Sequence, residues 1–370
     1  MFSRHTAIAA VAAALFLGNA GLAAQESTGD DARLPATDVL NRPAMESALA
    51  AKRLLIGMAR AGDKFVAVGP RGHIVVTADG GQSWTQGKVP VSSDLTAVWF
   101  VNATHGWAVG HDGVVLASTD GGATWTKQLD GLMVNDMVLK DIQAKLAADP
   151  ESERLQSLDA EAQRNVEMGA DKPFLDVWFE NETTGFVIGA YNLILVTADG
   201  GNTWQPWFDR VPNPQFMNLY SIRPAAGSVY MSGEQGTFFR LDREAMEFVA
   251  VPVDYAGSLF GVVDAGDAVL TFGLKGNLFR SADAGTTWQK MDSQLRSTIV
   301  AGATLGPGVV VIADNTGHLA MSKDGGLTFA PVDMPKTIPL TDIINAGDGK
   351  LGLTGPFGAL IVTPGAAPQP

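Results

Sequence analysis

Short apolar runs alternate with turns rich in Gly, Asn and Asp over residues 55–364. Runs of this length bounded by turn residues predict short β-strands. The unit that begins at Leu95 shows the order of runs and turns: Leu95-Thr-Ala-Val-Trp99-Phe, a turn, Trp107-Ala-Val, the loop Gly110-His-Asp-Gly113, and Val114-Val-Leu-Ala. The unit that begins near Leu175 repeats this order. The chain is therefore predicted to be built from repeated antiparallel sheets.

An eight-residue motif follows the third run of most units, with the pattern Ser/Thr-x-Asp-Gly/Ala-Gly-x-Ser/Thr-Trp/Phe. Its aspartates are Asp79, Asp120, Asp199, Asp283 and Asp324, and its aromatic ends are Trp84, Trp125, Trp204, Trp288 and Phe329. A degenerate copy, Leu241 to Phe248, keeps only the aromatic end. In this Asp box the carboxylate can accept hydrogen bonds from turn amides, glycine supplies a positive φ, and the aromatic ring packs between sheets. The motif predicts a structural turn rather than a catalytic or calcium site.

The repeat length and number define the fold class. Trp84 and Trp125 are 41 residues apart, as are Trp288 and Phe329. Four short strands in a repeat of this length predict a propeller blade. The repeats begin near Leu55, Leu95, Leu175, Leu219, Leu259, Ile299 and Leu340. We therefore predict an all-β, seven-bladed β-propeller of four-stranded blades over residues 55–364, followed by a tail at 365–370.

The seventh repeat has neither an Asp box nor a fourth run. The mature N-terminal lead, residues 25–54, precedes the first blade. Within it, residues 34–45 are the candidate for the missing outer strand, and their Pro35 and Pro43 suit an edge position. The sequence thus predicts non-covalent closure of the ring.

Residues 131–172 interrupt the repeat between blades two and three. Residues 136–148 and 151–168 contain no glycine and place apolar side chains at helical spacing, among them Val138, Ile142 and Leu146. Asp149-Pro150 separates them as a capping residue followed by a proline at a first helical position. The segment predicts a helical hairpin inserted into the propeller.

The N-terminus and the composition indicate where the chain works. Residues 1–24 have a basic start, an apolar run over residues 6–17 and a small-residue end, which predicts a signal peptide. The formal charge of −13 argues against nucleic-acid binding. The chain has no cysteine and therefore no disulfide. We expect an exported protein, in the periplasm or a thylakoid lumen, that is soluble or peripherally bound to a membrane and is a monomer.

Connections between blades emerge on the same face as the loops between second and third strands, so the hairpin is expected on that face. A long insertion on a rigid scaffold is a common place for binding function. The alternative is that the hairpin only packs its apolar stripe on the propeller. The candidate partner-binding residues on this face are Arg71, His111, Asp112, Tyr191, Glu234, Lys275, Arg154 and Arg164.

Enzymatic chemistry finds little support in the sequence. Asp boxes occur in sialidases, but the Arg-Ile-Pro motif of those enzymes is absent and Ile222-Arg223-Pro224 is only a superficial echo. His73 and His318 fall in blades that are not neighbours, so no shared metal site is predicted. We expect no catalytic residue, metal, cofactor or small-molecule substrate. A glycan-binding or sialidase-like propeller remains the alternative.

The boxes, the Trp-Phe first strands and the Gly-x-x-Gly loops together resemble the photosystem II stability/assembly factor family of Asp-box propellers, over residues 55–364. The resemblance implies a non-enzymatic scaffold that binds a membrane-protein complex on its extracytoplasmic side and aids its assembly or stability.

Overall fold

The computed structural model describes residues 39–334 and 336–365. Seven antiparallel sheets follow one another along this part of the chain, six with four strands and one with three. Blade one comprises β1 (Gly57–Ala61), β2 (Lys64–Val68), β3 (Ile74–Thr77) and β4 (Thr85–Gln86), and blade two comprises β5 (Leu95–Phe100), β6 (Gly106–Gly110), β7 (Val115–Ser118) and β8 (Thr126–Leu129). Blade three comprises β9 (Phe174–Phe179), β10 (Gly185–Gly189), β11 (Ile194–Thr197) and β12 (Gln205–Pro206). Blade four comprises β13 (Leu219–Ala225), β14 (Ser228–Gly233), β15 (Phe238–Asp242) and β16 (Glu247–Ala250). Blade five comprises β17 (Leu259–Asp264), β18 (Val269–Gly273), β19 (Asn277–Ser281) and β20 (Gln289–Asp292). Blade six comprises β21 (Ile299–Gly306), β22 (Val309–Asp314), β23 (Leu319–Ser322) and β24 (Ala330–Val332). Blade seven comprises β25 (Asp342–Gly347), β26 (Lys350–Gly355) and β27 (Gly358–Val362).

The prediction of a seven-bladed propeller with an inserted helical hairpin is confirmed. Second strands such as β6, β10 and β18 are buried along their whole length. Neighbouring blades cover both faces of these strands, so they contain almost only apolar residues and glycine. An outer strand such as β20 exposes most of its side chains. The apolar core therefore lies between the blades.

The box turns have one repeated geometry. In the first box, Thr77 Oγ1 donates to Asp79 Oδ1 over 2.7 Å and accepts the N–H of Gly81 over 3.0 Å. Asp79 Oδ1 also accepts the N–H of Ser83 over 2.9 Å. The same set of bonds recurs around the other four box aspartates. The aspartates thus brace the turns between third and fourth strands.

The aromatic ends of the boxes pack as wedges. Trp125 and Trp204 are buried, and each meets an aromatic ring of its own blade edge-on, Phe100 and Phe179 respectively. The degenerate copy also forms the third-to-fourth turn of blade four, between β15 and β16, and its Phe248 is buried.

Blade seven closes differently from the sequence prediction. Its described sheet has only the three strands β25–β27. Residues 39–45 lie instead against the connection from blade one to blade two, where Val39 O accepts the N–H of Ser92 and Val89 O accepts the N–H of Ala44. Burial of Leu40 in the core of blades one and two explains this placement. Residues 34–38 of the predicted closing strand, the signal peptide and the tail beyond 365 lie outside the described residues.

The ring closes through its inner strands. Leu55 donates its N–H to Gly355 O over 3.1 Å, and its carbonyl accepts from Thr341 Oγ1 over 2.7 Å. Met58 donates its N–H to Asp342 Oδ2 over 2.9 Å. These bonds join blade seven directly to blade one.

The hairpin consists of α1 (Gly131–Ala148) and α2 (Glu153–Met168). Helix α1 begins five residues earlier than residue 136, because the Asp130 carboxylate caps it by accepting the N–H of Met133. Asp149 ends α1, and Ser152 rather than Asp149 caps α2. No helix among the described residues is long and apolar enough to span a bilayer.

Candidate partner-binding face

The base of the hairpin is fixed to blade two. A Cβ atom placed on Gly113 would lie 2.5 Å from Gly131 Cα, and one on Gly131 would lie 2.8 Å from Ala170 Cα. Only glycine therefore allows the start of α1 to sit on the loop between β6 and β7. The close approach to Ala170 also shows that the inserted segment leaves and re-enters the propeller at neighbouring points.

The hairpin packs on blade three. Ile142, Leu158 and Ala162 are buried and pack with Phe208 and Phe216. Ile142 of the predicted apolar stripe is thus buried, and Val138 packs against the same cluster, while Val166 near the end of α2 is exposed.

A lysine ties the hairpin to the propeller. Lys145 Nζ lies 2.7 Å from both Asp141 Oδ2 and Asp209 Oδ2, and 5.1 Å from the centre of the Phe208 ring. Burial lowers the pKa of Lys145, but the hydrogen bonds to the two carboxylates outweigh it and leave the pKa raised. Lys145 is therefore a charged anchor, and the hairpin is held by both apolar and ionic contacts.

Exposed apolar side chains collect where the two helices meet the propeller. Asn135 Nδ2 donates to Asn165 O and Gly169 O, which places the first turns of α1 beside the last turn of α2. The hairpin patch comprises five exposed residues at this end: Leu132, Met133, Val166, Met168 and Tyr191. Met168 is 66% exposed and Tyr191 is 48% exposed, although both are apolar enough to favour burial.

The loops between second and third strands carry six of the predicted contact residues. Arg71, Asp112, Tyr191 and Lys275 occupy equivalent positions in four of these loops, with φ between 55° and 60°. His111 and Glu234 precede that position in their loops. Gln235 has the same conformation in blade four, so this left-handed backbone is a repeated feature of the loops.

Not all of these residues come together. Tyr191 donates its N–H to Asn218 Oδ1 over 2.9 Å, and Asn218 donates its N–H to Glu234 Oε2 over 3.3 Å. Blades three and four are thus linked beside the hairpin, and Asp112 adjoins Gly131. Arg71 and Lys275 lie in blades one and five, away from the hairpin.

Residues Arg154 and Arg164 are exposed on α2. Sequence analysis missed Lys172, whose Nζ lies 5.6 Å from the centre of the Tyr191 ring. Burial lowers the pKa of Lys172, although the negative charges of Glu161 and Asp171 act to raise it. Nothing in the helical pattern marks Lys172, because it follows the end of α2.

The sialidase echo does not build a substrate site. Arg223 of β13 places its Nη1 2.6 Å from Asp176 Oδ2. Its Cζ lies over the Trp99 ring, 5.1 Å from the ring centre. An arginine already paired in this way is not free to bind a substrate carboxylate. Sialidases use a tyrosine nucleophile, but Tyr191 lies in an exposed loop beside the hairpin.

The family model for "Photosynthesis system II assembly factor YCF48" matches residues 48–130, 76–145 and 155–289. The chain belongs to this family. The YCF48 family model thus covers most of the propeller and most of both hairpin helices.

Curated YCF48 relatives align over a short stretch. "Photosystem II assembly lipoprotein Ycf48" of Synechococcus sp. (strain RCC307) is 38% identical over 55 residues, which is 15% of this chain and 17% of the relative. The protein of the same name from Prochlorococcus marinus is 39% identical over 57 residues, with the same coverage. The alignment spans about one sixth of these relatives' length.

Solved structures share the fold. "YCF48 bound to D1 peptide" has a TM-score of 0.61 and 17% identity, covering 86% of this chain and 98% of that chain. "YCF48 from Cyanidioschyzon merolae" has a TM-score of 0.59 and 16% identity, covering 86% and 97%. A streptogramin B lyase also reaches a TM-score of 0.61 at 11% identity, covering 84% and 93%. At these identities the likeness concerns the fold alone.

Proposed function

We propose that this chain is a non-enzymatic, exported scaffold that binds an extracytoplasmic segment of a membrane protein and aids assembly of its complex. The observation that carries the proposal is the hairpin patch, an exposed apolar surface on an insertion that is fixed to blades two and three. Membership of the YCF48 family and a relative described with a D1 peptide support this class of partner.

The physical basis is the combination of rigidity and exposure. A preordered apolar surface loses little conformational entropy when a partner covers it, so more of the burial energy appears as affinity. Large exposed apolar side chains such as Met168 and Met133 are typical of the anchors of protein interfaces. Tyr191 adds an aromatic ring beside them, and Arg154 and Arg164 supply charged positions on α2.

The first test removes the hairpin. Residues 132–169 are replaced by two glycines, since Gly131 and Ala170 are adjacent. Tagged full-length and shortened proteins are purified from gently solubilised membranes, and associated proteins are identified by mass spectrometry. The proposal predicts a defined membrane complex with the full-length protein that is absent from the shortened one.

Two double variants control for non-specific binding to exposed apolar side chains. Leu132→Ser with Met168→Ser removes apolar surface from the hairpin patch. Met246→Ser with Leu327→Ser removes side chains that are 46% and 50% exposed on turns between third and fourth strands, at the opposite end of the blades. Recovery of the complex must fall only with the first pair. Equal recovery from both pairs and from the shortened protein would refute the proposed site.

A further inference from the structure

A second candidate site lies on the axis of the propeller. A cavity of about 600 Å³ is lined by the first strands of all seven blades. β-Bulges in β5, β9, β13, β17 and β21 give each of these strands one extra residue at equivalent positions. These residues line the cavity: Thr96, Leu175, Tyr220, Phe260 and Val300. The volume is that of a small-molecule site.

The charges in this channel are unbalanced. Asp176 is buried and Asp342 is half-buried, at equivalent positions of blades three and seven. Asp176 is paired with Arg223 over 2.6 Å. Asp342 accepts the backbone N–H groups of Met58 and Ile343 over 2.9 Å and 2.8 Å. Over residues 39–334 and 336–365, no cationic side chain lies within 4.0 Å of Asp342.

Arg223 cannot serve both carboxylates equally. Its Nη1 also donates to Val177 O and Ile222 O, so the guanidinium is held on the Asp176 side. The other charged lining residues, Arg60 and Asp264, bond to backbone groups of turns at the rim. Two carboxylates and one cation therefore face the channel interior.

Two aromatic rings complete the lining. Tyr220 and Phe260, the bulge residues of blades four and five, have ring centres 5.2 Å apart at an angle of 49°. Aromatic faces attract organic cations, and the attraction grows when the site excludes water. A half-buried carboxylate with no cationic side chain in contact with it, and aromatic walls in the same cavity, are complementary to such a ligand.

We propose that the central channel binds a small organic cation, an alkylammonium or guanidinium group, with Asp342 as its counter-charge and Tyr220 and Phe260 as its aromatic walls. A metal ion fits less well, because the two lining carboxylates with no arginine partner among the described residues, Asp342 and Asp264, lie at opposite ends of their first strands. The site is separate from the hairpin patch, so failure of either proposal leaves the other intact.

The linked proton equilibrium follows from the geometry. Burial raises the pKa of Asp342 to about 6, with Arg223 opposing this shift and Asp176 adding to it. A bound cation favours the carboxylate, so affinity is expected to fall as Asp342 becomes protonated below that pH.

The test is calorimetric titration of the full chain with n-butylguanidine and n-butylamine, and with n-butanol as the uncharged control. We expect saturable one-to-one binding of both cations and none of the alcohol. Asp342→Asn should weaken binding by about tenfold or more, since it removes the counter-charge of the proposed site. Asp254→Asn, at an exposed aspartate outside the cavity lining, is the matched charge control and should bind normally.

A steric variant keeps the test decisive if Asp342→Asn does not fold. Val300→Phe places in blade six the kind of ring that blades four and five already hold at the same bulge position, and it should weaken binding by narrowing the cavity. The peptide acetyl-Gly-Lys-Gly-amide distinguishes the source of the cation: if it binds as tightly as n-butylamine, a basic side chain can supply the group. Absence of saturable cation binding, or unchanged binding by folded Asp342→Asn, would overturn the proposal.

Discussion

The box aspartates show how much a single repeated residue contributes to a blade. Hydrogen bonds from the Thr287 side chain and backbone, and from Ser281, hold the pKa of Asp283 at about 2. Neighbouring donors act in the same way on Asp79 and Asp324, whose pKa values are also about 2. These carboxylates are acceptors within their own turns, which is the structural role that the motif predicts.

Replacing one box aspartate tests this role. Asp283→Ala leaves the N–H of Thr287 and the hydroxyl of Ser281 without their acceptor, so the melting temperature should fall. The folded pKa lies below the ordinary 3.8, so the contribution is complete above pH 4 and is lost as pH falls towards 2. Thermal unfolding between pH 2 and 7 should show the gap to wild type closing at the acidic end.

The matched control is Asp267→Ala, an exposed aspartate outside the boxes. A constant gap across this pH range for Asp283→Ala, or an equal loss for the control, would contradict the account.

Asp342 should give the opposite pH dependence. Its folded pKa of about 6 exceeds the ordinary 3.8, so the folded state binds the proton more tightly and stability falls as pH rises from about 4 to 6. Asp342→Asn removes this titration, and its melting temperature relative to wild type should rise over the same range. Asp254→Asn, at an exposed aspartate outside the channel, provides the comparison. A flat difference between Asp342→Asn and wild type would show that Asp342 does not titrate there.

Residues of this kind could not be found from the sequence. A box aspartate is marked by its motif, whereas Asp176 and Asp342 are single acidic residues in otherwise apolar strands. Their roles depend on contacts with Arg223 and Met58, which lie in other blades. Contacts between distant segments leave no local pattern.

At the scale of elements, the hairpin was predictable in kind but not in its ends. Glycine-free segments with helical spacing identify α1 and α2, because that pattern is local. The start of α1 at Gly131 depends on the Asp130 cap and on the contact with Gly113, which is a tertiary contact. Proline at 150 favoured an early start of α2, but Ser152 supplies the cap.

Asn135 of α1 donates side-chain hydrogen bonds to backbone carbonyls at the end of α2. Asn135→Ala removes the side-chain donor shared by Asn165 O and Gly169 O, which keep the backbone N–H groups of Gly169 and Asp171, so the loss should be about 1 kcal/mol. Hydrogen exchange measured by mass spectrometry should show faster exchange in 153–168 and little change in the blades. Gln163→Ala, which removes an exposed bond to Asp159 within α2, should change little. Uniform loss of protection across the propeller would contradict this local role.

At the scale of the whole molecule, the ring is closed by inner strands rather than by an added outer strand. Repeat counting predicts the number of blades, because each blade carries its own signals. It cannot locate residues 39–45, since their pairing depends on the buried position of Leu40 in blades one and two. Closure therefore combines hydrogen bonds between residues nearly 300 positions apart with apolar packing of blade one, including Met58 and Phe65, against Ile344 and Ala359 of blade seven.

Thr341 tests the closure. Thr341→Val removes the hydroxyl bond to Leu55 O, which joins blades that no chain connection links. Thr96→Val removes the equivalent bond to Phe174 O between blades two and three, which the chain connects through the hairpin. Each loss should cost about 1 kcal/mol. Hydrogen exchange in β1 and β27 should accelerate more for Thr341→Val than exchange in β5 and β9 does for Thr96→Val. Equal acceleration would contradict closure at this seam.

The central claim is that the hairpin patch contacts a membrane-protein partner. The most direct measurement is photo-crosslinking in intact cells from an unnatural residue at position 168, with position 327 as the control on the opposite end of the blades. Cross-linked peptides are identified by mass spectrometry. The account predicts that position 168, and not 327, links to one extracytoplasmic segment of a membrane protein. Cross-links to soluble proteins only, or the same products from both positions, would contradict it.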